Sequence, residues 1–150
     1  MMDITIEGAS VHDLDELYQI EKECFSEEAF TKQQIAYLLQ DYDTISLIAR
    51  ENGTIVGVIM GSIHLEHCSP IGHILTIDVA SGNRRKGIGT QLLKAIEKIL
   101  RQKGVRKCSL EVREDNDAAL RLYENSGYTQ AGKLRKYYGN RNGYLLVKKL

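Results

Sequence analysis

Apolar positions along the chain switch between two periods. Ile4 and Ile6 alternate with polar neighbours, which predicts a first strand. Val11, Leu14, Leu17, Ile20 and Cys24 then share one face of a helix over residues 11–24, with Ser10 placed to cap it. A loop over residues 25–30 leads to Thr31-x-x-Gln34, the spacing of a capping box, and to a second helix with Ile35, Leu38 and Leu39 inward. Residues 44–50 read as a strand, Asn52-Gly53 as a tight hairpin turn and residues 54–65 as its return. A buried strand follows over 72–80, then a long helix carrying Ile88, Leu92, Leu93, Ile96, Ile99 and Leu100 at helical spacing and stopping at Gly104. The strand over 107–113 sets Leu110 and Val112 on one face and Glu111 on the other. Asn116 or Asp117 caps a short helix over 118–125, and two strands, 128–137 and 143–149, finish the chain. The order β-α-α-β-β-β-α-β-α-β-β predicts an α/β protein: a mixed sheet with helices on both faces.

Composition narrows the setting. At 150 residues the chain fits one domain over 1–150, with room for a core. No apolar run approaches the roughly 20 residues of a membrane span. The opening MMDITIE is acidic and alternating, unlike a secretory signal, and three widely spaced cysteines (Cys24, Cys68, Cys108) favour reduced thiols in a cytoplasmic protein. The zero net charge hides a split: residues 1–83 carry 14 acidic and 3 basic side chains, residues 84–150 carry 6 and 17. That argues against a general field for nucleic acid or membrane. A basic half suits a polyanionic cofactor and an acidic half a cationic substrate; alternatively the split only records which surface helices are acidic.

The chemistry concentrates between the strand over 72–80 and the long helix. Ser81 to Gly89 is rich in glycine and positive charge (Arg84, Arg85, Lys86), and it aims backbone N–H groups and a helix dipole at one spot, a cradle for phosphate. Gly87 and Gly89 allow close approach of a ligand to the backbone. A Walker A loop is excluded because Thr90-Gln91 follows Gly89, and the dinucleotide fingerprint fails at Leu92. A basic solvated turn is the plain alternative. The remaining pattern, Arg84-x-x-Gly87-x-Gly89, resembles the acyl-CoA pyrophosphate loop of the GNAT superfamily of N-acetyltransferases, and the predicted order of elements matches that fold: a central, mostly antiparallel mixed sheet.

A second motif strengthens the resemblance. Leu110-Glu111-Val112-Arg113-x-x-Asn116-x-x-Ala119-x-x-Leu122-Tyr123-Glu124-x-x-Gly127-Tyr128 is similar to the signature of ribosomal-protein alanine N-acetyltransferases and archaeal N-terminal acetyltransferases. The resemblance implies acetyl-CoA as acetyl donor, Glu111 as general base, Tyr123 as general acid and Asn116 as a CoA contact. It also implies that Ile77, Asp78 and Val79 pair with the pantetheine arm while Arg84, Arg85, Lys86, Gly87, Ile88, Gly89 and Thr90 surround the pyrophosphate. Asp78 departs from the small residue usual there, so its carboxylate should face away from the arm or be paired. His73 sits where some relatives place a second catalytic side chain, which makes it a backup base. Arg135-Lys136-Tyr137-Tyr138 resembles the segment that holds a substrate peptide's N-terminus, so Tyr137, Tyr138 and Phe25 are implied at the acceptor lip. Two loops depart from the relatives there: Phe25-Ser26, and the stretch from Gly139 to Gly143.

The residue chemistry allows these roles. A peptide α-amine, with pKa about 7.7–8.0, loses its proton near pH 7 for roughly 1 kcal/mol, whereas a lysine at about 10.4 costs roughly 4.5 kcal/mol. A strand carboxylate can take that proton, and a phenol can protonate the departing thiolate. Each residue also has a plainer reading: Glu111 as a solvated carboxylate, Tyr123 as a packing aromatic, Asn116 as an N-cap, His73 as a structural histidine. His64-x-x-His67-Cys68 lacks a fourth ligand at suitable spacing and reads as a polar loop around Pro70, so no metal is expected. The expected function is an acetyl-CoA-dependent N-acetyltransferase acting on a peptide or protein N-terminal α-amine. The rivals are acetylation of a small amine or lysine side chain, and a non-catalytic acyl-CoA-binding module.

Overall fold

The computed structural model of the protein describes residues 3–150, so Met1 and Met2 of the opening segment lie outside the described residues. The strands are β1 (Ile4–Gly8), β2 (Thr44–Glu51), β3 (Thr54–Glu66), β4 (Ser69–Val79), β5 (Lys107–Arg113), β6 (Thr129–Tyr138) and β7 (Arg141–Lys149); the helices are α1 (Leu14–Phe25), α2 (Lys32–Gln40), α3 (Ile88–Gln102) and α4 (Asp117–Asn125). One seven-stranded sheet runs β1-β2-β3-β4-β5-β7-β6, and β4–β5 is its parallel pair among antiparallel neighbours. This is the α/β mixed sheet that the order of elements predicts.

The local signals act as their chemistry requires. Thr31 and Gln34 exchange reciprocal bonds at 3.1 and 2.8 Å, which fixes the start of α2. Ser10 forms a capping box with Asp13, but it opens a short 3-10 turn, Val11–Asp13, ahead of α1. In α3, Ile88, Leu92, Leu93, Ile96 and Leu100 are all buried against the sheet, each worth about 1.5–3 kcal/mol of transfer free energy. Helices α3 and α4 cover one face. On the other, Leu17 and Ile20 of α1 and Ile35 of α2 pack on Ile48, Val58 and Met60.

The strand expected over 72–80 is longer than its sequence suggests. It begins at Ser69, and Pro70 lies within it opposite Leu65. His67 and Cys68, both at positive φ (50° and 68°), form a two-residue turn rather than part of a polar loop. Pro70 is tolerated because this end of the hairpin projects beyond the reach of β2, whose pairing stops at Ser62, and of β5, whose pairing starts at Gly72.

Two irregularities position the site. Leu75 is an extra residue in β4, opposite the Met60–Gly61 step of β3, so Leu75 and Thr76 fall on the same face and the alternation resets beyond them. The parallel β4–β5 ladder then holds only Gly72 with Cys108 and His73 with Ser109. Past that fork the two strands separate.

Candidate active site

The fork opens into a cleft of about 780 Å³. Its two walls are the diverging strands β4 and β5, whose ladder ends at His73 and Ser109. Ala80 donates its N–H to the Val56 carbonyl at 2.9 Å, which makes that residue pair the hydrogen-bonded kind. Alternation along an antiparallel ladder then turns the N–H and C=O of Ile77 and Val79 away from β3 and toward the cleft. The same alternation turns the backbone of Asp78 to β3.

At the fork itself, Glu111 of β5 and His73 of β4 meet. Nε2 of His73 lies 2.7 and 3.0 Å from the two Glu111 oxygens, and each side chain stays partly open to solvent. The expected base and its backup are therefore one contact pair rather than alternatives in separate places. Both line the cleft, together with Phe25, Asn116, Tyr123, Tyr137 and Tyr138. Tyr123 comes from α4 and is buried; that burial, followed by the charge of Asp78 and by Tyr138, raises its phenol above the ordinary tyrosine range. Such a phenol is held protonated. Tyr137 and Tyr138 stack edge to face with centroids 4.9 Å apart. Burial first, and the Glu111 carboxylate among the lesser causes, raises both of their phenols as well.

The glycine turn stands at the end of β4. Gly87 sits at φ 79° and Arg85 at 64°, so the chain reverses through the left-handed region immediately before α3. The first helical bond, from Gln91 N–H to the Gly87 carbonyl, measures 3.0 Å. The N–H groups of Ile88, Gly89 and Thr90 therefore have no backbone partner among the described residues, as at any helix start. Arg85 and Lys86 are exposed beside them.

Four of the residues expected to hold the donor have other duties. Asp78 is 1% exposed and does not face the cleft; Thr76 Oγ1 lies 3.0 Å from its Oδ1 and 2.8 Å from Glu21 Oε1. Burial, followed by the hydrogen-bonded and like-charged Glu21, holds the Asp78 carboxyl well above the usual range. Of the two outcomes expected for its carboxylate, facing away and being paired, the structure shows the pairing with Thr76 and a side chain turned from the cleft. Arg84 folds back, its Nε on the Val79 carbonyl at 3.1 Å and its guanidinium 3.4 Å from Cys24 Sγ, so it braces the strand end. The side chain of Ile88 is in the core, which leaves only its backbone to offer. Asn116 is an N-cap, accepting from Ala119 N–H at 3.2 Å, while it also borders the cleft.

Several residues at or near the site were given no role by the motifs. Glu21 is buried in α1, tied to Thr76 and, at 2.9 Å, to the N–H of Phe30, so it links the loop after α1 to β4. Its position was a usable signal: a carboxylate four residues after Leu17, on the apolar face of a helix. Arg113 reaches Glu28 at 2.8 Å and Asp115 at 2.6 Å, drawing the loop after α1 over the end of β5. Cys108 is buried, and its thiol is pushed up to about 11 chiefly by that burial, which suits packing rather than nucleophilic work.

Known proteins share this fold. Residues 14–128 match the acetyltransferase (GNAT) family. An N-alpha-acetyltransferase of Sulfurisphaera tokodaii is 30% identical, over 95% of this chain and 90% of that protein. The crystal structure of Ard1 from Thermoplasma volcanium superposes with a TM-score of 0.88 at 28% identity, over 98% of this chain and 97% of that one. The ribosomal-protein-S18-alanine N-acetyltransferase of Escherichia coli, 24% identical over 98% of this chain and 94% of that one, shares the fold with a TM-score of 0.87. A strand fork with a carboxylate at its base, a glycine turn at its rim and this likeness over nearly the whole length agree: the chain belongs to the acetyltransferase (GNAT) family and is an acetyltransferase.

Proposed function

We propose that this protein, as a single domain, transfers an acetyl group directly from acetyl-CoA to the α-amine at the N-terminus of a protein or peptide. The observation that carries the reading is the Glu111–His73 pair at the base of the cleft, with Tyr123 on one wall and the Tyr137–Tyr138 pair on another. The N-alpha-acetyltransferase from Sulfurisphaera tokodaii supports the same acceptor class.

The donor's diphosphate rests on the N–H groups at the start of α3, where the helix dipole and the exposed Arg85 and Lys86 favour anions. Its pantetheine arm lies along β4, against the outward N–H and C=O of Ile77 and the N–H of Val79, whose carbonyl already accepts from Arg84. Asn116 closes the other side. The acceptor enters past Phe25 and the two tyrosines. Glu111, oriented by His73, removes the ammonium proton; the freed nitrogen attacks the thioester carbonyl, whose oxygen becomes an oxyanion. That oxyanion collapses as the C–S bond breaks and Tyr123 gives its proton to the departing thiolate. The attacking nitrogen sheds its second proton, which restores the Tyr123 phenol, and the proton held by Glu111 passes to solvent, leaving the neutral amide and the thiol of CoA. A protein N-terminus suits this machinery because its amine is already close to neutrality at pH 7. The three cysteines, all free thiols, accord with work in the cytoplasm.

Short peptides with varied first residues should be acetylated in the presence of acetyl-CoA. A peptide with a blocked N-terminus and one internal lysine, and a polyamine, should be poor acceptors. Turnover of the polyamine or the lysine at rates matching the free N-termini would overturn the acceptor assignment. Binding of CoA with no thioester turnover on any amine would instead identify a binding module.

A further inference from the structure

The two tyrosines of the acceptor wall do not reach the cleft by ordinary strand alternation. Along the β6–β7 ladder Leu134 opposes Gly143 and Tyr138 opposes Arg141. Arg135, Lys136 and Tyr137 therefore face Asn142 alone, two residues more than a regular ladder holds. The surplus makes a bulge that swings Tyr137 and Tyr138 toward Glu111. Lys136 takes up the bend at φ 49°, a region where a residue with a Cβ is strained.

Two neighbouring residues of β7 meet this bulge. Oδ1 of Asn142 accepts the Lys136 N–H at 2.9 Å, a donor that the bulge has pulled out of the ladder. The Asn142 carbonyl also accepts the Glu114 N–H at 3.0 Å, which ties the same residue to the loop after β5. At Gly143 a Cβ would lie 2.8 Å from Tyr138 Cε2 and 3.1 Å from the Val112 carbonyl oxygen. The Tyr138 ring thus occupies the room that a side chain at 143 would need.

We propose that Asn142 and Gly143 are positioning residues for the acceptor: Asn142 pins the bulge, Gly143 seats the Tyr138 ring, and together they set which first residue the cleft admits. The inference rests on reading the tyrosine pair as the acceptor wall. Neither residue touches the reacting atoms. Losing the Asn142 acceptor leaves the Lys136 N–H without its partner and lets the strained bend relax, so the tyrosines drift while the donor edge of β4 stays as it was. A methyl group at 143 pushes the Tyr138 ring toward the cleft and narrows it.

In Asn142→Ala the KM for an N-terminal peptide should rise about tenfold, the upper range for one hydrogen bond, with the KM for acetyl-CoA changed less than about twofold. Asn142→Asp retains an oxygen at the same place and should restore the parent's value. Gly143→Ala should favour peptides beginning with glycine or alanine over those beginning with a bulky residue, shifting that ratio about tenfold. Near-ultraviolet circular dichroism of the tyrosines reads the seat without any acceptor, and it should change in Asn142→Ala and return in Asn142→Asp. Equal rises in both KM values, failure of the aspartate to rescue, or unchanged dichroism would overturn the inference. A parent enzyme that acetylates only another amine would overturn the N-terminal reading instead; the dichroism, and the KM split measured with that amine, would then still decide the roles of Asn142 and Gly143.

Discussion

On the function proposed here, the donor and acceptor halves of the cleft are built by different means. The donor half, β4 with the turn into α3, offers mainly backbone: the strand edge at Ile77, the N–H of Val79 and the first N–H groups of a helix. The acceptor half is made of side chains delivered by irregular structure: the loop after α1, held by Glu28–Arg113, and the bulge of β6, held by Asn142. A backbone site tolerates changes of side chain and depends on dihedral angles. A side-chain site depends on what aims each group. The halves should therefore fail differently when altered.

The largest effect belongs to the point where they meet. Glu111→Gln keeps the size and much of the contact with His73 but removes the base, so turnover should fall by about 10²–10⁴. Titration calorimetry should show CoA binding intact. Loss of CoA binding along with turnover would mean that Glu111 holds the donor, and the division into halves would fail at its centre. Next in size is Gly87→Val, which forces a β-branched residue into φ 79° with no atom in its way. A cost of roughly 1–2 kcal/mol at this turn, borne by the site, corresponds to about a fivefold to thirtyfold loss of CoA affinity. The acceptor KM should stay put.

This division also explains what could be read in advance. Backbone sites announce themselves through glycine, helix caps and strand periodicity, which is why Arg84-x-x-Gly87-x-Gly89, the Thr31–Gln34 box and the α3 face all stood out in the sequence. Glu111 and Tyr123 were legible because a spaced motif carries them. The meeting of Glu111 with His73 was not, since 38 residues separate them and only the short parallel ladder brings them together. Asn142 looked like turn filler because its work depends on a bulge two residues wide, and no periodicity reports a bulge. Asp78 was legible by half: an acid at that place had to face away or be paired, but its partner Thr76 shows only in the fold. Its neighbours in sequence are donor-edge residues, but strand alternation turns it to the opposite side.

A smaller effect should mark the acceptor half alone. Glu28→Gln removes the charge that holds Arg113 over the lip, and a partly exposed ion pair of this kind is worth about 0–1 kcal/mol. The peptide KM should rise by no more than about fivefold, and the KM for acetyl-CoA should not move. A change in the acetyl-CoA constant would show that the lip reaches across to the donor side.

The smallest effect on catalysis, and an informative one for stability, is expected at Asp78. Thr76 has one hydroxyl hydrogen for two carboxyl oxygens, Glu21 Oε1 and Asp78 Oδ1, so a proton on one of the acids is needed to satisfy the second contact. Burial and the neighbouring Glu21 raise the folded-state pKa of Asp78 above its unfolded value, so the folded protein binds that proton more tightly than the unfolded chain does. The stabilising contribution is whole below the ordinary carboxylate pKa and is lost as pH rises toward the raised value. An asparagine in its place cannot ionise and mimics the protonated acid. Asp78→Asn should therefore match the parent's melting temperature near pH 4 and exceed it progressively toward neutrality, by roughly 2–4 °C for each 1 kcal/mol relieved. Turnover should stay within about twofold, because the side chain faces α1 rather than the donor edge. A large loss of acetyl-CoA affinity would give the Asp78 side chain a part in holding the donor, and a constant offset in melting temperature across pH would mean that the acid is already ionised in the folded protein.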